Sequence, residues 1–118
     1  MTEPVLTVRP GAGPTSVTVL HVSGELDHAS RTILQQAVSD SLDGTTRSVV
    51  LDLSAVTFCD SGGLSLFVEL HRSLTGQGGR LRLAGARDMV LGVLKMTNFD
   101  RMFTLYPTVQ AATRDGQA

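Results

Sequence analysis

The chain has 118 residues, of which 42% are hydrophobic, and its 10 Lys and Arg residues nearly balance its 11 Asp and Glu residues. Such a chain can bury the core of one domain, but it lacks the strong positive field that gathers nucleic acid or an acidic membrane surface. The start of the chain lacks the basic and apolar regions of a signal peptide, and no apolar run approaches the roughly 18 residues of a membrane span. We therefore expect a cytoplasmic protein with neither nucleic acid nor a membrane as its direct partner.

The first part of the chain predicts two strands and a helix. Residues 5–9 and 16–22 alternate β-branched side chains on either side of a Gly/Pro-rich segment, which is typical of an antiparallel hairpin. From residue 29 to residue 42, apolar side chains recur at helical spacing and predict an amphipathic helix. The side chains expected to face the core are Ile33, Leu34, Ala37, Val38 and Leu42.

The rest of the chain predicts alternating strands and helices. Residues 49–53 form an almost continuous apolar run, which is typical of a central parallel strand covered on both faces. Residues 61–74 predict a second helix, which ends at Gly76, Gly78 and Gly79. Its expected core-facing side chains are Leu64, Phe67, Val68, His71 and Leu74. The remaining predictions are a strand at 80–84 that is half covered or near an edge, a helix at 88–97 with Val90, Leu91, Val93 and Leu94 inward, a short strand at 102–106 and a helical turn or two at 108–114.

This order of elements predicts an α/β fold in a single domain with a core over about residues 4–114. The expected architecture is a mixed β-sheet of four to five strands packed with about four helices. Right-handed crossovers bring the carboxyl ends of the parallel strands to one edge of the sheet, where ligands and partners of such sheets tend to bind. Segments 23–28, 57–63 and 85–88 leave the sheet at that edge, and we expect the functional residues there.

The segment Asp60-Ser61-Gly62-Gly63 lies where a strand gives way to a helix, and it supports two interpretations. In one, the side chain of Asp60 or Ser61 caps the helix by accepting a free backbone N–H, and the glycines allow a tight turn. In the other, Ser61 presents an exposed hydroxyl at a helix N-terminus. An added phosphate would there meet unpaired N–H groups and the positive end of the helix dipole. Both interpretations can hold together.

The sequence resembles the anti-anti-sigma factor branch of the STAS family over nearly its whole length. The segments that carry the resemblance are 58–64 (FCDSGGL), 49–53 (VVLDL) and 22–27 (VSGELD). The family's phosphorylation motif, Asp-Ser-Ser/Thr-Gly, maps its phosphorylated serine onto Ser61, and the Gly-Glu-Leu-Asp segment puts the family's acidic contact residue at Asp27. Gly62 departs from this motif, because the family usually has Ser or Thr there. The departure leaves Ser61 as the only acceptor in the motif, and a glycine there could loosen the helix start or alter recognition by the kinase.

The resemblance implies a binding switch rather than an enzyme. The unphosphorylated domain is expected to bind an anti-sigma factor, a serine kinase of histidine-kinase-like ATPase fold, and thereby to free the sigma factor. The kinase then uses ATP to phosphorylate the serine, and a metal-dependent serine phosphatase reverses the change. The expected partner-binding residues are Asp27, His28, Asp60, Gly62 and Gly63, and no cofactor is expected.

Several of these residues also have a purely structural interpretation. Asp27 precedes the first predicted helix and is a good N-cap. His28 can form a hydrogen bond to a partner, but a lone histidine in a loop is more often solvated. Cys59, the single cysteine, cannot form an internal disulfide, and we expect it to be a small buried hydrophobe rather than a reactive thiol.

Two further groups of residues predict no function. The three histidines, His21, His28 and His71, lack the spacing of a metal site, and no second cysteine exists to complete one. A set of Met and Phe side chains at roughly helical spacing resembles a docking patch, but such side chains more often belong to the core. These residues are Met89, Met96, Phe99, Met102 and Phe103.

Two rival functions stay open. One is a non-switching STAS interaction subunit of a signalling or lipid-transport assembly, in which Ser61 is only a cap. The other is a small hydrolase with Ser61 as nucleophile, but the motif is not Gly-x-Ser-x-Gly and no histidine has a sequence context that marks it as the base. The identity of the kinase and of the sigma factor, and the formation of a weak homodimer, are left open as well.

Overall fold

The structure, a computed structural model, describes residues 6–14, 16–43 and 47–114. Within these residues five strands and five helices follow one another along the chain. The strands are β1 (Leu6–Gly11), β2 (Val17–Leu26), β3 (Ser48–Cys59), β4 (Leu81–Ala84) and β5 (Leu105–Tyr106). The helices are α1 (Arg31–Ser41), α2 (Ser61–Gly76), α3 (Asp88–Met96), α4 (Phe99–Met102) and α5 (Val109–Arg114).

The strands form one mixed sheet in the order β1-β2-β3-β4-β5. β1 and β2 are antiparallel, with Leu6 opposite Gly24, which confirms the predicted hairpin, although residue 5 lies outside the described residues. β2, β3, β4 and β5 are parallel neighbours, as predicted for the first three of them. The α/β class and the mixed sheet packed with helices are therefore confirmed.

The two faces of the sheet carry hydrophobic cores of different size. Because side chains alternate along a strand, Val50 and Leu51 of β3 point to opposite faces, and both are buried. The main core lies under α1, α2 and α3 and includes Leu34, Phe67 and Val90. The second core lies under α5 and consists of Val17, Val19, Val50, Ala84 and Ala112, with Tyr106 and Val109 packed against it. β3 is thus the doubly covered central strand that its apolar run predicts.

α1 and α3 each bury one row of side chains spaced four residues apart. The row is Leu34 and Val38 in α1, and Val90 and Leu94 in α3. The prediction that Ile33 also faces the core is wrong, because Ile33 is 42% exposed. Ile33 is next to this row along α1 and lies at the margin of the contact with the sheet.

α2 buries a stripe that differs from the predicted one by part of a helical turn. Leu64, Val68 and His71 were expected in the core but are only half-buried. The helix ends at Gly76, and the turn that follows places Gly78 at φ 84°, a left-handed conformation that favours glycine. The buried side chains are Leu66, Phe67, Leu70 and Leu74, of which the second and the last were predicted.

The prediction that the strand at 80–84 is half covered is wrong, although β4 does lie next to the edge strand β5. All four residues of β4 are buried, because α5 covers the face that the sequence pattern leaves open. Arg82 anchors this helix, since its guanidinium donates to the backbone carbonyl of Ala112 at 2.9 Å. β5 is shorter than predicted, because Met102 belongs to α4.

β2 and β3 extend beyond β4 at the carboxyl edge of the sheet. Leu26 of β2 pairs with Cys59 of β3, and the N–H of Asp60 donates to the carbonyl of Leu26 at 3.2 Å. β4 already ends opposite Asp52. The loops after β2 and β3 therefore meet, whereas segment 85–88 leaves the sheet at the level of Asp52.

Candidate functional site

The start of α2 separates the two interpretations of Asp60 and Ser61. Asp60 is the N-cap, because one oxygen of its carboxylate accepts the backbone N–H of Gly62 at 2.8 Å and that of Gly63 at 3.2 Å. Ser61 is the first helical residue and is exposed. Its hydroxyl has no hydrogen-bond partner among residues 6–14, 16–43 and 47–114. The cap is therefore Asp60, and the Ser61 hydroxyl is available for other chemistry.

Gly62 and Gly63 let the first turn of α2 approach the loop after β2. Both residues are buried. A Cβ atom at position 62 would lie 2.7 Å from the Cα atom of His28, and one at position 63 would lie 2.8 Å from the Sγ atom of Cys59. The departure of Gly62 from the family motif thus has a structural reason, since a Ser or Thr would collide with the backbone of His28.

Asp27 shapes the turn that leads into α1. Its carboxylate accepts the N–H of Ser30 at 2.8 Å, and the Ser30 hydroxyl accepts the N–H of Asp27 at 3.0 Å and donates to the carbonyl of Glu25 at 2.8 Å. The predicted helix start at Ala29 is too early, and the interpretation of Asp27 as the N-cap is wrong, because the N-cap position of α1 is Ser30. The hydrogen bond from the Ser30 N–H lowers the pKa of Asp27, so the carboxylate is charged at neutral pH.

The predicted site residues come together at the ends of β2 and β3. The pairing of Leu26 with Cys59 and the packing of His28 against Gly62 hold the two loops in contact. The surface around Ser61 consequently carries the carboxylates of Asp27 and Asp60. His28 is exposed there, and no hydrogen bond joins it to Ser61 within the described residues.

Cys59 is a core residue, as predicted. It is buried, and burial, together with the charge of Asp60, raises the pKa of its thiol to about 12. The thiol is therefore neutral at physiological pH and a poor nucleophile.

The three histidines lie in different parts of the fold. His21 forms a hydrogen bond with Asp52 on the sheet. The ring of His71 packs edge-on against the ring of Phe103, with the ring centroids 5.2 Å apart. Within the part of the chain that the structure describes, no cluster of three or more His, Cys, Asp or Glu side chains could hold a metal ion. An activated serine needs a base in hydrogen-bond contact, and Ser61 has none among the same residues.

A groove between α2 and α4 begins at Ser61. It has a volume of about 420 Å³, and we call it the α2–α4 groove. Sequence reasoning missed it, because Leu64 and Val68 were expected in the core. Its lining residues are Ser61, Leu64, Ser65, Val68, Glu69, Arg72 and Phe99.

The Met and Phe set is only partly core. Phe103 is buried and Phe99 is half-buried. The prediction that the three methionines are core residues is wrong, because Met89, Met96 and Met102 are 42%, 83% and 48% exposed. The sequence pattern fails here because α3 buries only Val90 and Leu94, and α4 buries none of its residues.

A polar pair, His21 and Asp52, lies on the sheet face that α5 covers in part. Sequence reasoning missed this pair as well. The Nδ1 atom of His21 lies 2.6 Å from a carboxylate oxygen of Asp52, and the N–H of Ser54 donates to the other oxygen at 3.0 Å. Burial acts to raise the pKa of Asp52, but these hydrogen bonds outweigh it and the pKa is lowered. The sequence carries no local signal for the pair, because the pair depends on the register that places His21 directly opposite Asp52 in parallel strands.

Comparison with known proteins finds anti-sigma factor antagonists and a phospholipid-transport protein among the relatives. A solved structure of an anti-sigma factor antagonist from Mycobacterium paratuberculosis matches with a TM-score of 0.79 and 30% identity, covering 98% of this chain and 100% of that one. The anti-sigma-F factor antagonist RsfB of Mycobacterium tuberculosis is 26% identical over 81% of this chain and 78% of RsfB. The intermembrane phospholipid transport system binding protein MlaB of Escherichia coli is 34% identical over 67% of this chain and 78% of MlaB.

No helix in the described part of the chain has the length and apolar character of a membrane span. The family model of the STAS domain matches residues 4–112, nearly the whole chain, and the protein therefore belongs to the STAS domain family.

Proposed function

We propose that this STAS domain is an anti-sigma factor antagonist that phosphorylation of Ser61 switches off. Its unphosphorylated form binds an anti-sigma factor serine kinase in the cytoplasm and releases the sigma factor, and a serine phosphatase restores that form. The observation that carries the proposal is the exposed Ser61 hydroxyl at the first position of a helix that Asp60 already caps. The antagonists among the relatives support the same function.

The start of α2 can carry a phosphate while the domain stays folded. A phosphate adds about 1.5 to 2 negative charges, which the positive end of the 16-residue helix favours. Asp60 carries a like charge and already occupies the N–H groups of Gly62 and Gly63, which disfavours the phosphate. Because the two effects oppose each other, we expect a small change in the free energy of unfolding.

The kinase interface is more sensitive to the same charge. Asp27 and Asp60 make the surface around Ser61 acidic, and the bound kinase holds the phosphates of its nucleotide close to this surface. Bringing like charges together in an interface can cost several kcal/mol. A penalty of about 3 kcal/mol weakens binding more than a hundredfold, which is enough for a switch.

Phosphate mapping tests the assignment of the acceptor. The full chain is incubated with its anti-sigma factor kinase and ATP, and the modified peptide is identified by mass spectrometry. We expect one phosphate on Ser61 and none on the Ser61→Ala variant, which retains the exposed Ser65 on the next turn as a matched hydroxyl. Phosphate on Thr57 or Ser65 with Ser61 unmodified would contradict the proposal.

The 34% identity with MlaB supports a second candidate, a non-switching subunit of a lipid-transport assembly. In that function Ser61 needs no modification. The phosphorylation state of the protein recovered from its own cells distinguishes the two candidates. The antagonist carries phosphate on Ser61 in a fraction of the molecules that changes with growth conditions, whereas the transport subunit carries none.

A further inference from the structure

The floor of the α2–α4 groove consists of apolar side chains that the main core buries only in part. Leu64 and Phe99 pack against the main core with part of their surface, whereas the half-buried Val68 does not join that core among the described residues. Val68 is seven residues after Ser61, which is about 10 Å along an α-helix. Apolar surface is therefore available immediately beside the proposed phosphorylation site.

The rim of the groove has one uncompensated charge. Glu69 forms an ion pair with Arg31 of α1. Arg72 lines the groove, is exposed and has no ion-pair partner within residues 6–14, 16–43 and 47–114. The groove side of Ser61 is therefore positive, in contrast to the acidic side formed by Asp27 and Asp60.

We propose that the α2–α4 groove binds an apolar side chain of the anti-sigma factor kinase, and that an acidic residue of the kinase next to it pairs with Arg72. This inference rests on the proposed function, because the occupant is the kinase that reaches Ser61. A specific interface covers about 800 Å² on each partner, a patch roughly 30 Å across. A kinase that binds Ser61 therefore covers a groove in which Ser61 itself is a lining residue.

The chemistry of the groove fits the centre of such an interface. Interfaces derive most of their affinity from a few buried aromatic or arginine side chains, which fill well-packed pockets that the surrounding contacts shield from water. Val68, Leu64 and Phe99 provide the apolar contact, and Arg72 provides a charge that selects an acidic partner. The groove then supplies affinity that does not depend on phosphorylation, and Ser61 supplies the switch.

Calorimetric binding to the purified anti-sigma factor kinase tests whether the groove contributes affinity that is independent of phosphorylation. Every variant carries Ser61→Ala, so that phosphorylation cannot change during the titration. We expect Val68→Ser and Arg72→Glu each to weaken binding about tenfold or more. The matched controls are Val109→Ser and Arg9→Glu on the opposite face of the sheet, and we expect their affinity to stay within about twofold of the parent.

The outcomes distinguish a failure of the groove proposal from a failure of the proposed function. Loss of affinity in both groove variants, with thermal melting close to that of the parent, supports the inference. Unchanged affinity of Arg72→Glu and Val68→Ser overturns it, while binding by the Ser61→Ala parent leaves the proposed function standing. Failure of the parent to bind overturns both. Arg72 is exposed, so its variant keeps the test valid even where Val68→Ser reduces stability.

Discussion

Asp60 and Ser61 are neighbours at the start of α2, but the structure gives them different roles. Asp60 accepts two backbone N–H groups of the first turn, whereas the Ser61 hydroxyl faces solvent. An N-cap side chain stabilises the folded state by satisfying N–H groups that the helix leaves unpaired. We therefore expect that stability and the proposed switch can be changed separately at two adjacent positions.

We expect Asp60→Ala to lower the free energy of unfolding by about 1 kcal/mol, the usual effect of losing an N-cap. Ser61→Ala should change it by less than about 0.5 kcal/mol, because no described contact is lost. Urea unfolding of both variants and the wild type measures the difference. Equal destabilisation by the two substitutions would show that Ser61 shares the capping role.

The loop at His28 leaves no room for a side chain at position 62, where the family usually has Ser or Thr. A side chain there would meet the backbone of His28, which cannot move without disturbing the turn that Asp27 and Ser30 form. We expect Gly62→Ser to destabilise the protein by about 1 to 3 kcal/mol, as overpacking does elsewhere.

Gly92 of α3 provides the matched control for Gly62→Ser. A Cβ atom at position 92 meets no other atom within 4 Å, and Ser is a better helix former than Gly. Gly92→Ser should therefore be neutral or slightly stabilising in the same unfolding experiment. A Gly62→Ser protein as stable as the wild type would mean that the loop at His28 adapts to the family's usual residue.

At the scale of elements, hydrophobic spacing predicts where strands and helices lie but not which side chains they bury. The five strands, the three long helices and the junction at Ser61 were predicted because their patterns are local. The orientation of α2 depends instead on its contacts with the sheet, so Val68 lines a groove although it has helical core spacing. Likewise, α5 covers β4 through a long-range contact of Arg82 that the alternation in β4 does not reveal.

The pairing of β2 with β3 creates the His21–Asp52 contact, and this contact predicts a pH effect. A carboxylate whose pKa is lowered by folding stabilises the protein fully above its unfolded value of 3.8, and this stabilisation is lost as the pH falls through the lowered value. The Asp52→Asn variant lacks this acid-dependent contribution to the free energy of unfolding. Its free energy of unfolding should therefore fall less than that of the wild type as the pH decreases below 3.8.

Urea unfolding between pH 6 and pH 2 checks this expectation. Asp100→Asn, on the exposed surface of α4, serves as the control and should follow the wild-type curve. An Asp52→Asn protein with the same acid dependence as the wild type would show that the hydrogen bonds from His21 and Ser54 do not contribute to stability at higher pH.

Across the whole molecule, the extended ends of β2 and β3 carry the proposed functional surface away from the core that stabilises the domain. The Asp27 loop, Ser61 and the α2–α4 groove lie together on the main-core side, and α5 closes the other face of the sheet. A charge added at Ser61 therefore lies at the surface that a partner would contact, and not in the hydrophobic core. We therefore expect phosphorylation of Ser61 to change binding without changing the fold.

The most direct measurement is the affinity of the phosphorylated protein for the anti-sigma factor kinase, with thermal melting recorded on the same samples. We expect wild type and Ser61→Ala to bind equally well before ATP is added. The phosphorylated form should bind more than about a hundredfold more weakly while melting within a few degrees of the wild type, and Ser61→Asp should lose part of the affinity because aspartate carries less charge. A phosphorylated form that binds as tightly as Ser61→Ala, or that loses binding only because it has unfolded, would rule out the electrostatic switch.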